Sequence, residues 1–67
     1  MKMKVDSPVR NIRRVRTMSQ LDLAMLVGVS QKTISTIENG AEPSESLKAR
    51  IAAVLGVPVS HIFPEAV

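Results

Sequence analysis

The chain has 67 residues, a formal net charge of +3, one histidine, one aromatic residue and no cysteine. That length holds one compact domain with a small, marginally stable core. Without cysteine there is no disulfide framework or thiolate metal site, and His61 cannot build a metal site alone. No apolar run approaches the ~20 residues of a bilayer span, and Lys2 and Lys4 are not followed by a stretch of signal-peptide length. No cofactor and no membrane partner is expected, and the expected compartment is the cytoplasm.

The charge is polarised. Residues 1–20 carry Lys2, Lys4, Arg10, Arg13, Arg14 and Arg16 against Asp6 alone, a net +5. Residues 21–67 carry Lys32, Lys48 and Arg50 against Asp22, Glu38, Glu42, Glu45 and Glu65, a net −2. A basic third on a short chain suits a polyanion met by one side of the molecule.

In chain order, residues 1–7 read as an N-terminal arm. Met1–Val5 alternates like a strand but is expected to be weakly ordered. Ser7-Pro8 then places a capping hydroxyl before a proline at the first helical position. Ser19, Ser30, Ser44 and Ser60 predict the starts of four further helices. Gly28, Gly40 and Gly56 each follow an apolar-periodic stretch, where a left-handed residue closes a helix. Pro43 and Pro58 fall in connections. The expectation is an all-α domain over residues 8–63, with 64–67 as a C-terminal tail.

At 100° per residue, the faces separate. Helix 1 puts Val9 and Ile12 on one side with Arg13, while Arg10 and Arg14 point well away. Helix 2 buries Leu23, Ala24 and Val27. Helix 4 aligns Leu47, Ile51, Val54 and Leu55, and Val57, Val59, Ile62 and Phe63 close the core or continue past it. Helix 3 differs. Ile34 and Ile37 form a narrow apolar stripe, and Gln31, Lys32, Ser35, Thr36 and Asn39 form a polar side without a carboxylate. Amides, hydroxyls and one lysine suit base edges and phosphate oxygens better than a merely solvated face.

The informative stretch runs from Gln20 to Gly40. Ala24 is small where two helices cross, Gly28 takes a turn conformation that a β-carbon disfavours, and Val29 fills the angle between the helices. Ser30 caps the next helix, which Ile34 and Ile37 anchor so that its other face projects. With Arg13 seven residues before Gln20, the ending Ile37-Glu38-Asn39-Gly40, then Leu55-Gly56-Val57 and Ile62-Phe63, the sequence resembles the Cro and phage-repressor type of helix-turn-helix regulators, the Xre family, over roughly Val9 to Phe63.

The resemblance implies a compact five-helix, lambda-repressor-like fold with the helix-turn-helix in helices 2 and 3. It implies a homodimer on a palindromic double-stranded DNA operator, with helix 3 in the major groove. On it, Gln31, Lys32, Thr36 and Ser35 are the expected base contacts. Gln20, Ser30, Thr33, Asn39 and Arg14 are the expected phosphate contacts, with Gln20 also supporting Gln31. Arg13 and Glu38 are expected to form an internal ion pair joining helix 1 to helix 3; the residues agree, since Arg13 shares the apolar face of helix 1 and Glu38 flanks the Ile34/Ile37 stripe.

The sequence departs from the family pattern in three places. Ala41-Glu42 stands where members often have a basic residue, Glu45 and Lys48 stand where leucine is frequent, and Leu21, Met25 and Leu26 are apolar at usually polar positions of helix 2. These three read either as an interaction patch or as a more deeply buried helix 2, the latter being the expectation. The C-terminal run around Val59, Ile62 and Phe63 is the expected dimer contact. No nucleophile–base pair, phosphate loop or carboxylate–histidine cluster points to an enzyme. The leading reading is a repressor; the alternatives are an antitoxin with a toxin partner and a protein-interaction module that keeps the fold.

Overall fold

The computed structural model describes residues 7–63. The Met1–Val5 arm and the 64–67 tail lie outside them. Five helices follow in order: α1 (Pro8–Val15), α2 (Gln20–Val27), α3 (Gln31–Glu38), α4 (Glu45–Leu55) and α5 (Val59–Ile62).

The helix starts are chemical. The hydroxyls of Ser19, Ser30 and Ser44 accept from the backbone N–H three residues on, at Asp22, Thr33 and Leu47. At α2 the device is reciprocal, because the Asp22 carboxylate accepts from the Ser19 N–H at 3.1 Å. Those bonds, the backbone one first and then the Ser19 side chain, hold the Asp22 carboxyl below its ordinary value. Ser7 precedes α1 without a side-chain bond, so Pro8, with φ preset and no N–H to satisfy, sets that start. The expected serine cap of α5 is corrected: Pro58 occupies the cap position and Ser60 lies inside the helix.

Two helices close on glycines in the left-handed region, Gly28 (φ 90°) and Gly56 (φ 73°). Beside each, an arginine caps the last carbonyls. Arg50 Nη1 donates to the Val27 carbonyl at 3.2 Å and Arg16 Nε to the Leu55 carbonyl at 2.8 Å. Cations at helix C-termini gain from the dipole as well as the bond. Arg16 and Arg50 thus hold the domain together. α1 closes on the same pattern without glycine. The Met18 N–H reaches the Arg13 carbonyl, the Thr17 N–H reaches the Arg14 carbonyl, and Thr17 itself takes φ 54°.

The core gathers Val9, Leu23, Ala24, Val27, Ile34, Ile37, Ile51, Ala52, Leu55 and Ile62. α2 packs on both α3 and α4, and α1 on α3 and α5, so α3 is held from its inner side only. The inner face of α4 is turned by about one residue from its expected line. Lys48, Ile51, Ala52 and Leu55 are buried, while Leu47 and Val54 are half-buried. Lys48, 3% exposed, is tolerated there because its ammonium ion-pairs with Glu42 and lies 3.5 Å from Glu45, with the Phe63 ring beneath it at 5.7 Å. The Glu42 hydrogen bond and the two carboxylate charges raise the Lys48 pKa against the effect of burial.

Candidate nucleic-acid interface

The turn Gly28-Val29-Ser30 joins α2 to α3. The Gly28 and Val29 N–H groups both reach the Ala24 carbonyl, at 2.8 and 3.0 Å, which fixes where α3 begins. Ile34 and Ile37 then bury one side of α3. The other side is left in solvent with Gln31, Lys32 and Thr36 exposed and Ser35 half-buried at its edge. These four residues share one outward surface. Around it, Ser30 and Asn39 stand exposed at the two ends of α3 and Thr33 is half-buried.

Several of these side chains already have internal bonds. The Ser30 hydroxyl accepts from the Thr33 N–H at 3.1 Å and lies 2.9 Å from the Thr33 hydroxyl. Thr36 donates to the Thr33 carbonyl at 2.9 Å, which commits its hydroxyl proton to the helix and leaves the oxygen as an acceptor. Gln31 and Lys32 are the long side chains that reach furthest from the helix.

Beneath this surface lies a charged cluster. Arg13 Nε donates to Glu38 Oε2 at 2.7 Å, Arg13 Nη2 to Glu38 Oε1 at 3.1 Å, and Arg13 Nη1 to the Met18 carbonyl at 2.9 Å. Arg10 Nε donates to Glu38 Oε1 at 3.2 Å and Gln20 Nε2 to the same oxygen at 3.1 Å. One buried carboxylate at the C-terminal end of α3 therefore binds side chains from α1 and from the start of α2. Burial pushes the Glu38 carboxyl up, but the bonds from Arg13, Gln20 and Arg10, with the Arg13 charge, bring it net below its ordinary value. The carboxylate stays ionised, and the angle of α3 against α1 and α2 is fixed by directional bonds rather than by apolar contact alone.

Sequence reasoning missed Arg10 as a third partner and Gln20 as a ligand of Glu38. The expectation that Arg10 points well away from the Arg13 face is corrected: three residues before Arg13, it lies on a neighbouring line of α1, and its long side chain reaches Glu38.

Arg14 projects from α1 into solvent. Of the C-terminal residues, Ile62 is 2% exposed and belongs to the core, because α5 must cover the opening between α1 and α4. Val59 and Phe63 are half-buried against it. The expectation that Leu21, Met25 and Leu26 are buried is overturned. They are 50%, 71% and 61% exposed, because Leu23, Ala24 and Val27 already take the inner side of α2. Among the described residues, no group of three or more His, Asp or Glu gathers to hold a metal, and no helix is long and apolar enough to cross a membrane.

A family model described as "Helix-turn-helix" matches residues 9–62. The chain belongs to this Xre-type helix-turn-helix family. It is 38% identical over 60 residues to the uncharacterized HTH-type transcriptional regulator RghRB of Bacillus subtilis, covering 87% of this chain and 43% of that protein. It is 42% identical over 52 residues to the uncharacterized HTH-type transcriptional regulator MJ0272 of Methanocaldococcus jannaschii, covering 76% of this chain and 79% of that protein. The match thus spans less than half of the first relative and most of the second. The helix-turn-helix proper is α2, the Gly28–Ser30 turn and α3.

Proposed function

We propose that this helix-turn-helix chain is a sequence-specific double-stranded DNA-binding regulator of transcription. It acts as a homodimeric repressor that reads a palindromic operator through α3. The observation that carries the reading is the outward side of α3, which is carboxylate-free and held rigid from behind by the Glu38 cluster. Gln31 is suited to bidentate pairing with adenine and Lys32 to a guanine edge, while Thr36 and Ser35 supply shorter hydroxyl and methyl contacts. Ser30, Thr33 and Asn39 at the rim of α3, and Gln20 at the start of α2, serve as phosphate contacts that set register. The Gln20 amide nitrogen is held by Glu38. A two-fold dimer, for which Val59 and Phe63 retain partly open sides, sets its recognition helices ~34 Å apart, one turn of B-DNA.

Selection of bound duplexes from a random pool tests the reading. The expected result is an enriched motif with two inverted half-sites, and affinity that falls by ~10³–10⁵ between 50 and 200 mM salt for ~6–10 phosphate contacts. A best selected duplex that binds no tighter than random DNA refutes it.

A further inference from the structure

The large hydrophobic side chains that stay exposed among the described residues are Val15, Leu21, Met25 and Leu26. All four fall within the twelve residues from Val15, at the end of α1, to Leu26 in the last turn of α2. They are not scattered singly, as unremarkable surface hydrophobics are. Next to them is an open groove of about 330 Å³ lined by Met18, Asp22, Met25 and Leu26. Three of its walls are thioether or aliphatic, and the fourth is a carboxylate at the first turn of α2. Such a groove fits a long side chain with an apolar stem and a cationic head, the stem on the methionines and the head on Asp22.

The chain supplies that side chain itself. Arg10 is bonded to Glu38, Arg16 to the Leu55 carbonyl and Arg50 to the Val27 carbonyl. Arg14 extends into solvent without a bond of its own among the described residues, directly beside Val15, which is 75% exposed. We infer that the α1–α2 face is a self-association surface, with Arg14 and Val15 of one copy seated on the Met18–Asp22–Met25–Leu26 groove of a second copy, and the reverse, about a two-fold axis. An isologous contact requires knob and groove on one self-complementary surface, and Val15 ends α1 three residues before Met18, which lines the groove. Four exposed apolar side chains provide less than the ~800 Å² per partner of a standard interface, so the contact is weak in dilute solution. It gains force where copies are concentrated, as on one DNA molecule. This goes beyond the operator-reading dimer and does not rest on Val59 or Phe63.

Charge exchange in trans tests it on the full chain without DNA. Sedimentation equilibrium up to about millimolar concentration should show reversible self-association. Arg14→Asp and Asp22→Arg alone should each weaken it by about tenfold or more, because each places like charges opposite one another twice per dimer. A one-to-one mixture of the two variants should associate again, since every pair across the mixed interface is then of opposite charge. Should Asp22→Arg fail to fold for want of its cap, Met25→Lys leaves the cap intact and must weaken association equally, with circular dichroism verifying the helices. Single exchanges that associate like the parent overturn the inference, as does a mixture no better than its components, or a parent that stays monomeric throughout. Loss of association on Phe63→Glu with no response to the exchanges assigns the contact to the C-terminal segment instead. Because no DNA is present, failure of the charge exchanges leaves the operator-binding reading standing, and failure of the duplex selection leaves this one standing.

Discussion

Replacing Arg13 by alanine should cost this domain a large share of its stability. Three bonds are lost, two to Glu38 and one to the Met18 carbonyl. Arg10 and Gln20 both sit on Oε1 of Glu38, so the loss of Arg13 Nε strips Oε2 of its bond inside a buried side chain. Breaking a buried pair from one side costs about 3–5 kcal/mol. The two surviving donors on Oε1 place the expected value at the low end, about 3 kcal/mol. A chain of this length has roughly 3–10 kcal/mol in total at about 0.05–0.15 kcal/mol per residue. At about 4–8 °C per kcal/mol for a small domain, the midpoint should fall by about 12–24 °C. Arg14→Ala, on an exposed side chain one residue away, should stay within about 0.5 kcal/mol of the parent. Urea and thermal unfolding of the two variants side by side supply the measurement. The double variant Arg13→Ala with Glu38→Gln should recover part of the loss, because the buried charge that has lost its main partner is gone. Equal midpoints for Arg13→Ala and Arg14→Ala would refute the reasoning and reduce the cluster to a surface pair.

Further outcomes follow from the same geometry. Glu38 titrates lower when folded than when unfolded; the unfolded chain then binds more protons in acid. The cluster's contribution should be complete above the ordinary carboxylate pKa of ~4.3 and be lost as pH falls below it, so Glu38→Gln should flatten the acid limb of a stability–pH curve. Thr17→Gly should raise stability by up to about 1 kcal/mol, since a left-handed non-glycine costs about 1–2 kcal/mol and glycine returns part of that as chain entropy; a lower melting midpoint would contradict it. Ile34→Ala, at a fully buried position, should cost about 2–5 kcal/mol in denaturant titrations. In the duplex selection, Gln31→Ala should relax preference at one or two base pairs per half-site, a discrimination of ~1–3 kcal/mol; unchanged profiles for both Gln31→Ala and Lys32→Ala would move base reading elsewhere.

The sequence by itself determined the order of the helices and the ends of α2, α3 and α4, because caps and turns are local chemistry. Ser19, Ser30 and Ser44 each reach a backbone N–H three residues away, and Gly28 and Gly56 meet a backbone requirement that no distant contact alters. It also determined the outward side of α3, because Ile34 and Ile37 leave one way for Gln31, Lys32 and Thr36 to point. The tertiary structure decided what depends on which residues meet across the fold. Periodicity already placed Leu23, Ala24 and Val27 on one arc of α2, but only the packing on α3 and α4 shows that this arc is all that is buried and that Leu21, Met25 and Leu26 remain in solvent. Hydropathy places Lys48 outside, and the structure turns it inward because Glu42, Glu45 and Phe63 converge on its ammonium. The same holds for part of the Glu38 cluster: the Arg13–Glu38 pair was legible in the sequence, but that Arg10 and Gln20 join it follows from α1, α2 and α3 meeting at one end of the recognition helix, a contact between residues 18 to 28 positions apart.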